Sequence, residues 1–138
     1  MMHSPVGILT ICLVGPVVEE LCFREAVMGG LLRNGVKPWK AILVSAVLFG
    51  LIHFNPVQIV GAGLMGIILG IIYYKTGNII LATALHVLNN SVATLMALAF
   101  GMDATLTDGI GSAVVVSAAG LLSAACSIAL FARYWRHS

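Results

Sequence analysis

A cluster of charged side chains interrupts the first long apolar segment of the chain. Residues 6–32 are long enough to cross a bilayer, and Glu19, Glu20 and Arg24 lie inside this segment. A charge at bilayer depth costs on the order of 3 kcal/mol or more, so these side chains must face protein or water and find partners. The chain is therefore predicted to be an integral membrane protein organised around this cluster.

The composition supports the same class. Of the 138 residues, 60% are hydrophobic and 9% are charged, whereas a soluble domain carries about 25% charged residues. The formal net charge of +2 is too small to favour a nucleic-acid partner. We expect the lipid bilayer to surround most of the protein's surface.

Five apolar segments are candidates for helices across the membrane. Their approximate limits are residues 6–32, 38–54, 57–74, 79–100 and 110–134. The strands of a membrane barrel would alternate polar and apolar residues, and these segments do not. We predict an all-α, polytopic membrane protein with about five transmembrane helices, forming one domain over residues 1–138.

The loop charges predict the orientation of these helices. If the segments alternate in direction, the Lys and Arg residues of the loops and the C-terminal end all fall on one side: Arg33, Lys37, Lys40, Lys75, Arg133 and Arg136. Asp103 and Asp108 fall on the other side. Because cytoplasmic loops are enriched in Lys and Arg, we expect an external N-terminus and a cytoplasmic C-terminus.

Glycine recurs in the third segment, at positions 61, 63, 66 and 70. Gly66 and Gly70 have the spacing at which small residues let two membrane helices approach closely. We expect these glycines to serve helix packing rather than ligand binding.

The charged cluster of the first segment divides into a pair and a single carboxylate. Glu20 and Arg24 are four residues apart, with the acid nearer the N-terminus, which is the favoured order for a helical ion pair. Glu19 points about 100° away from Glu20 on a helix and has no obvious local partner. An unpaired carboxylate within the membrane is a candidate functional group.

Two further polar pairs lie inside apolar segments. Phe49 and His53 share one helical face, as do His86 and Asn90. A carboxylate near histidine can deprotonate water, and His and Asn can donate hydrogen bonds to an oxyanion, so these residue types suit hydrolysis of a carbonyl compound. Alternatively, Glu19, His53 and His86 could hold a divalent metal that activates the water.

These residues, in this order on hydrophobic helices, resemble the CPBP family of CAAX prenyl proteases and bacteriocin-processing (Abi-type) intramembrane proteases. Three motifs carry the resemblance: Glu19-Glu20 with Arg24, Phe49 with His53, and His86 with Asn90. They extend over residues 16–90.

The resemblance implies a role for each site residue. Glu19 would be the general base, assisted by His53, and His86 and Asn90 would form the oxyanion site. The family is commonly described as metalloproteases, with a divalent metal such as zinc on Glu and His, and a metal-free, glutamate-driven mechanism is also argued for it.

The resemblance also implies supporting roles for Glu20, Arg24 and Phe49.

Two departures from the family pattern stand out. Family members usually carry further helices before the first motif, which begins near position 19 here. Glu25 also adds an acid next to Arg24, where a small residue is more usual in the family.

The sequence therefore predicts an intramembrane endopeptidase of a prokaryotic plasma membrane that hydrolyses membrane-associated or lipidated peptides. Two alternatives remain open. One is a non-catalytic membrane interaction protein, such as a bacteriocin-immunity protein. The other is a small transporter that uses Glu and His as proton or cation sites.

Overall fold

The computed structural model describes residues 4–54 and 56–99, together with Arg133. Within these ranges the chain forms four helices and no strands, which confirms an all-α protein. Apart from Arg133, the fifth predicted segment lies outside the described residues, as do Asp103, Asp108 and Arg136.

The first helix, α1, spans Pro5–Arg33. The Ser4 side chain caps its N-terminus by accepting a hydrogen bond from the Gly7 amide, and Pro5 occupies the first helical position. The hydrogen-bond register widens to that of a π-helix in two stretches, Thr10–Val14 and Leu21–Met28. The helix ends at Asn34-Gly35, where Gly35 adopts a φ of 78° that glycine tolerates without strain.

The second helix, α2, spans Pro38–Leu51. Its 14 residues extend about 21 Å, less than the roughly 30 Å hydrocarbon core of a bilayer. The helix stops before the predicted limit at residue 54, and Phe54 adopts a φ of 54°. A following proline at position 56 also disfavours a continuing helix.

The third and fourth helices, α3 and α4, span Pro56–Thr76 and Ile79–Ala99. Gly77, with a φ of 62°, separates them, and the Asn78 side chain caps α4 by accepting from the Leu81 amide at 3.0 Å. Within residues 4–54 and 56–99, three stretches are long and apolar enough to cross a membrane: Pro5–Arg33, Gln58–Thr76 and Ile79–Ala99. The prediction of a helical membrane protein is therefore confirmed.

The α2 and α3 helices pack closely as an antiparallel hairpin. A Cβ on Gly50 would lie 2.7 Å from the Ile59 carbonyl oxygen, and one on Gly66 would lie 3.0 Å from the Ala46 Cα. A Cβ on Gly70 would lie 3.2 Å from a methyl carbon of Ile42. The predicted packing role of the third-segment glycines is thus confirmed for Gly66 and Gly70.

Two apolar clusters hold together the helices of the described part of the chain. Met28, Ala41 and Ile42 join α1 to α2. A second cluster joins α3 to α4 and consists of Met65, Leu69, Ile72 and Leu85. Buried polar residues accompany these clusters, and several of them form one connected group between α1, α2 and α4: Glu20, Arg24, Ser45 and His86.

Candidate active site

The predicted ion pair between Glu20 and Arg24 is present and completely buried. Arg24 Nε lies 2.8 Å from Glu20 Oε2, and Arg24 Nη2 lies 3.2 Å from Glu20 Oε1. Both side chains have no solvent-exposed surface. The two parallel hydrogen bonds offset part of the cost of removing both charges from water, because bidentate charge-assisted bonds are strong.

Ser45 of α2 completes the surroundings of Arg24. Arg24 Nη1 donates to Ser45 Oγ at 3.2 Å, and Ser45 in turn donates to the Phe23 carbonyl at 2.8 Å. The guanidinium carbon also lies 5.4 Å from the centre of the Phe49 ring. Arg24 therefore ties α1 to α2 with all three of its guanidinium nitrogens engaged.

His86 of α4 lies between the two adjacent acids of α1. Its Nδ1 is 3.0 Å from Glu20 Oε1, and its Nε2 is 3.6 Å from Glu19 Oε2. A carboxylate can only accept, so Nδ1 carries the proton shared with Glu20, and Nε2 is left to face Glu19. The ion-paired Glu20 thereby sets both the position and the protonated nitrogen of His86.

Glu19 differs from Glu20 in both exposure and bonding. Its side chain is 27% exposed, whereas that of Glu20 is fully buried. The distance of 3.6 Å from His86 Nε2 is too long for a hydrogen bond, and it makes an ion pair only when the ring is doubly protonated. Glu19 Oε2 is therefore a buried oxygen without a hydrogen-bond partner in the described part of the chain.

Phe49 forms the apolar wall of this group and is 1% exposed. Its ring makes edge contacts with the rings of His53 and His86, at centroid distances of 5.3 Å and 5.5 Å. A third edge contact, with Phe23, has a centroid distance of 5.3 Å. The two histidines from different helices thus meet the same ring.

His53 lies just beyond the end of α2 and is held by a hydrogen bond to that helix. Its Nδ1 donates to the Phe49 carbonyl at 3.0 Å, which leaves Nε2 as an acceptor in the neutral ring. No hydrogen bond joins His53 to Glu19 within residues 4–54 and 56–99. The structure therefore brings Glu19, Glu20, Arg24 and His86 into direct contact, and it connects His53 to them through Phe49.

Asn90 contacts the start of α1. Its Nδ2 donates to the Ile11 carbonyl at 3.1 Å. Ile11 lies in the first π-helical stretch, where the amide of Gly15 bonds to the Thr10 carbonyl five residues back. The donor for Ile11 in that register would be residue 16, a proline without an N–H, so the Asn90 side chain supplies the missing donor.

Asn89 extends this arrangement. Its Nδ2 donates to Asn90 Oδ1 at 3.2 Å, whereas its own Oδ1 is buried without a hydrogen-bond partner among the described residues. Sequence reasoning missed Asn89 and Ser45. Asn89 could have been found as a second amide directly before Asn90. Ser45 could have been found as a hydroxyl residue four positions before Phe49, on the same face of α2.

The residues proposed as metal ligands do not gather into a metal site. Among the described residues, no three His, Cys, Asp or Glu side chains are arranged to hold a metal ion. Glu19 and His86 approach each other, but Glu20 is engaged by Arg24 and His53 lies against Phe49. We therefore derive no catalytic step through a metal.

Comparison with known proteins identifies the family of the chain. The family model described as type II CAAX prenyl endopeptidase Rce1-like matches residues 2–92, which include every site residue described above. The chain is 29% identical over 94 residues to "Putative membrane peptidase YdiL" of Bacillus subtilis (strain 168), an alignment covering 68% of this chain and 38% of that protein. No solved structure matches the chain significantly. The chain belongs to the Rce1-like family of type II CAAX prenyl endopeptidases.

Proposed function

We propose that this protein hydrolyses peptide bonds of membrane-associated or lipidated peptides, with Glu19 as the general base. Family membership supports a membrane peptidase. The observation that carries the residue assignment is the unpartnered Glu19 Oε2, which is buried beside His86 while the side chain as a whole remains partly exposed. A carboxylate oxygen free of protein donors can accept a hydrogen bond from a water molecule.

The reaction begins with this water. Its oxygen attacks the carbonyl carbon of the scissile bond while Glu19 takes its proton, which forms a tetrahedral intermediate with a negative oxygen. The carbon–nitrogen bond then breaks, and the proton held by Glu19 passes to the leaving amine. The products are a new carboxylate and a new amine.

His86 and Asn90 are proposed to stabilise the negative oxygen. Because Nδ1 of His86 is bonded to Glu20, its Nε2 can donate to the oxyanion when the ring is doubly protonated. The Asn90 amide has two N–H groups, and its bond to the Ile11 carbonyl occupies one of them. The second N–H is left for the substrate oxygen.

His53 is proposed to assist Glu19 in orienting the water. The Phe49 carbonyl engages Nδ1 and leaves Nε2 of the neutral ring as an acceptor. Both His53 and His86 contact the Phe49 ring, which supports their assignment to one site. Glu20, Arg24 and Phe49 support the site by positioning His86.

The direct test of hydrolysis is cleavage of a peptide library in water enriched in ¹⁸O. The purified protein in lipid nanodiscs is expected to yield new C-terminal carboxyl groups that carry one ¹⁸O atom. A non-catalytic interaction protein would bind members of the library without producing new termini. That outcome would refute the proposed function.

A further inference from the structure

We propose that Asn89 recognises the substrate backbone, with its Oδ1 accepting a hydrogen bond from an N–H of the bound peptide. The inference rests on the proposed function, because it assigns a specificity contact to the same site. The hydrogen bonds that connect α1 to α4 have a fixed direction.

The Ile11 carbonyl fixes the orientation of two successive amides. A carbonyl can only accept, so the group of Asn90 that faces it must be the NH₂ group. The oxygen of Asn90 then faces Asn89, and it too can only accept. Asn89 must therefore turn its own NH₂ group towards Asn90, as the 3.2 Å contact shows.

This orientation leaves the Asn89 oxygen on the opposite side of its carboxamide. Turning the Asn89 amide over would set two oxygens against each other, so the arrangement cannot relax in that way. The Asn89 oxygen is buried, and no donor of the described chain reaches it. A buried acceptor without a partner requires an explanation, and a donor that arrives with a ligand provides one.

The position of Asn89 indicates which ligand supplies the donor. On α4, Asn89 lies three residues after His86 and Asn90 lies four residues after it, so both amides flank the histidine on one face. In the described ranges, two buried side-chain atoms lack a hydrogen-bond partner. One is Asn89 Oδ1, and the other is Glu19 Oε2, which lies beside His86. One acceptor suits the attacking water and the other suits an amide N–H of the peptide being cut.

The experiment removes one substrate N–H at a time. A peptide that the wild type cleaves is prepared as a series in which each backbone N–H near the cleavage site, except that of the scissile bond, is replaced by an ester oxygen. The ratio of kcat/KM between the amide and the ester peptide is measured for the wild type and for Asn89→Leu. This ratio is independent of the folded fraction of the enzyme, so a loss of stability does not affect the result.

We expect the wild type to prefer the amide by about tenfold at one position, which corresponds to about 1.4 kcal/mol for one hydrogen bond. Asn89→Leu should lose this preference at that position. Asn89→Gln should retain part of it, because that side chain keeps both the oxygen acceptor and an NH₂ group that can donate to Asn90. Asn34→Leu, the same change at an exposed loop residue, should behave like the wild type.

If Asn89 only holds Asn90 in place, both Asn89 variants will lower kcat while the amide-to-ester ratios stay as in the wild type. That result overturns the inference and leaves the proposed function standing. If the wild type cleaves none of the peptides, the proposed function itself fails, and this is seen before any variant is compared.

Discussion

His86 Nδ1 and Glu20 Oε1 lie 3.0 Å apart, although 66 positions separate these residues in the chain. Glu20 also accepts two hydrogen bonds from Arg24, so this single carboxylate receives three donors from two helices. The ion pair therefore orients the histidine that faces Glu19. Loss of the pair should disturb both the fold and the site.

Removing either member of the Glu20–Arg24 pair should destabilise the protein. Arg24→Ala leaves a buried carboxylate without its cation, and Glu20→Ala leaves a buried guanidinium, at a cost of about 3–5 kcal/mol in either case. We expect a lower yield of folded protein and a lower thermal midpoint in detergent. Arg33→Ala, at an exposed cation of the same helix, is the control and should have little effect. Equal midpoints for Arg24→Ala and the wild type would show that the pair contributes no stability.

The sequence was sufficient to predict this pair, because its two members are four residues apart on one helix. The contact with His86 could not be predicted in the same way, since no helical period relates residues on α1 and α4. The sequence also placed His53 and His86 in one site, and the structure adds that the Phe49 ring separates them. The bond from Asn90 to Ile11 depends on the π-helical register before Pro16, which the apolar pattern does not reveal.

The α2–α3 contact should depend on Gly50. In Gly50→Ala the new Cβ would lie 2.7 Å from the Ile59 carbonyl oxygen, so the backbone of one helix must move. We expect a cost of about 1–3 kcal/mol, typical of overpacking, measured as a lower thermal midpoint. Gly61→Ala is the matched control, because a Cβ there meets nothing within 4 Å. The prediction fails if both variants have the same midpoint.

The loop cations Arg33, Lys37 and Lys75 should lie on one side of the membrane. The α2–α3 hairpin is antiparallel, so Lys37 at its beginning and Lys75 at its end lie close to the same end of the bundle. Tyr73, near the end of α3, donates a hydrogen bond to Glu25 of α1. This contact brings the end of α1, with Arg33, to the same end of the bundle. We expect Lys37→Cys and Lys75→Cys to be labelled by impermeant maleimide only from the cytoplasmic side. Asp103→Cys should be labelled from the outside. Labelling of Lys37→Cys and Lys75→Cys from opposite sides would contradict the predicted topology.

Hydrolysis should be insensitive to metal removal. The described residues provide no three-ligand group, and His53 is held against Phe49 instead of joining Glu19 and His86. We expect peptide cleavage to continue at the same rate after prolonged treatment with a strong chelator. Activity that is lost on chelation and recovered with a divalent ion such as zinc would show that a metal takes part.

The most direct test of the account is the turnover of Glu19→Gln. Gln keeps the size of the side chain but cannot take a proton from water, so kcat should fall by about 10²–10⁴-fold. The variant should fold like the wild type, because Glu19 forms no hydrogen bond through its buried oxygen. Glu25→Gln is the matched control on the same helix, and it should retain turnover. Full activity of Glu19→Gln on a peptide that the wild type cleaves would contradict the assignment of Glu19 as the general base.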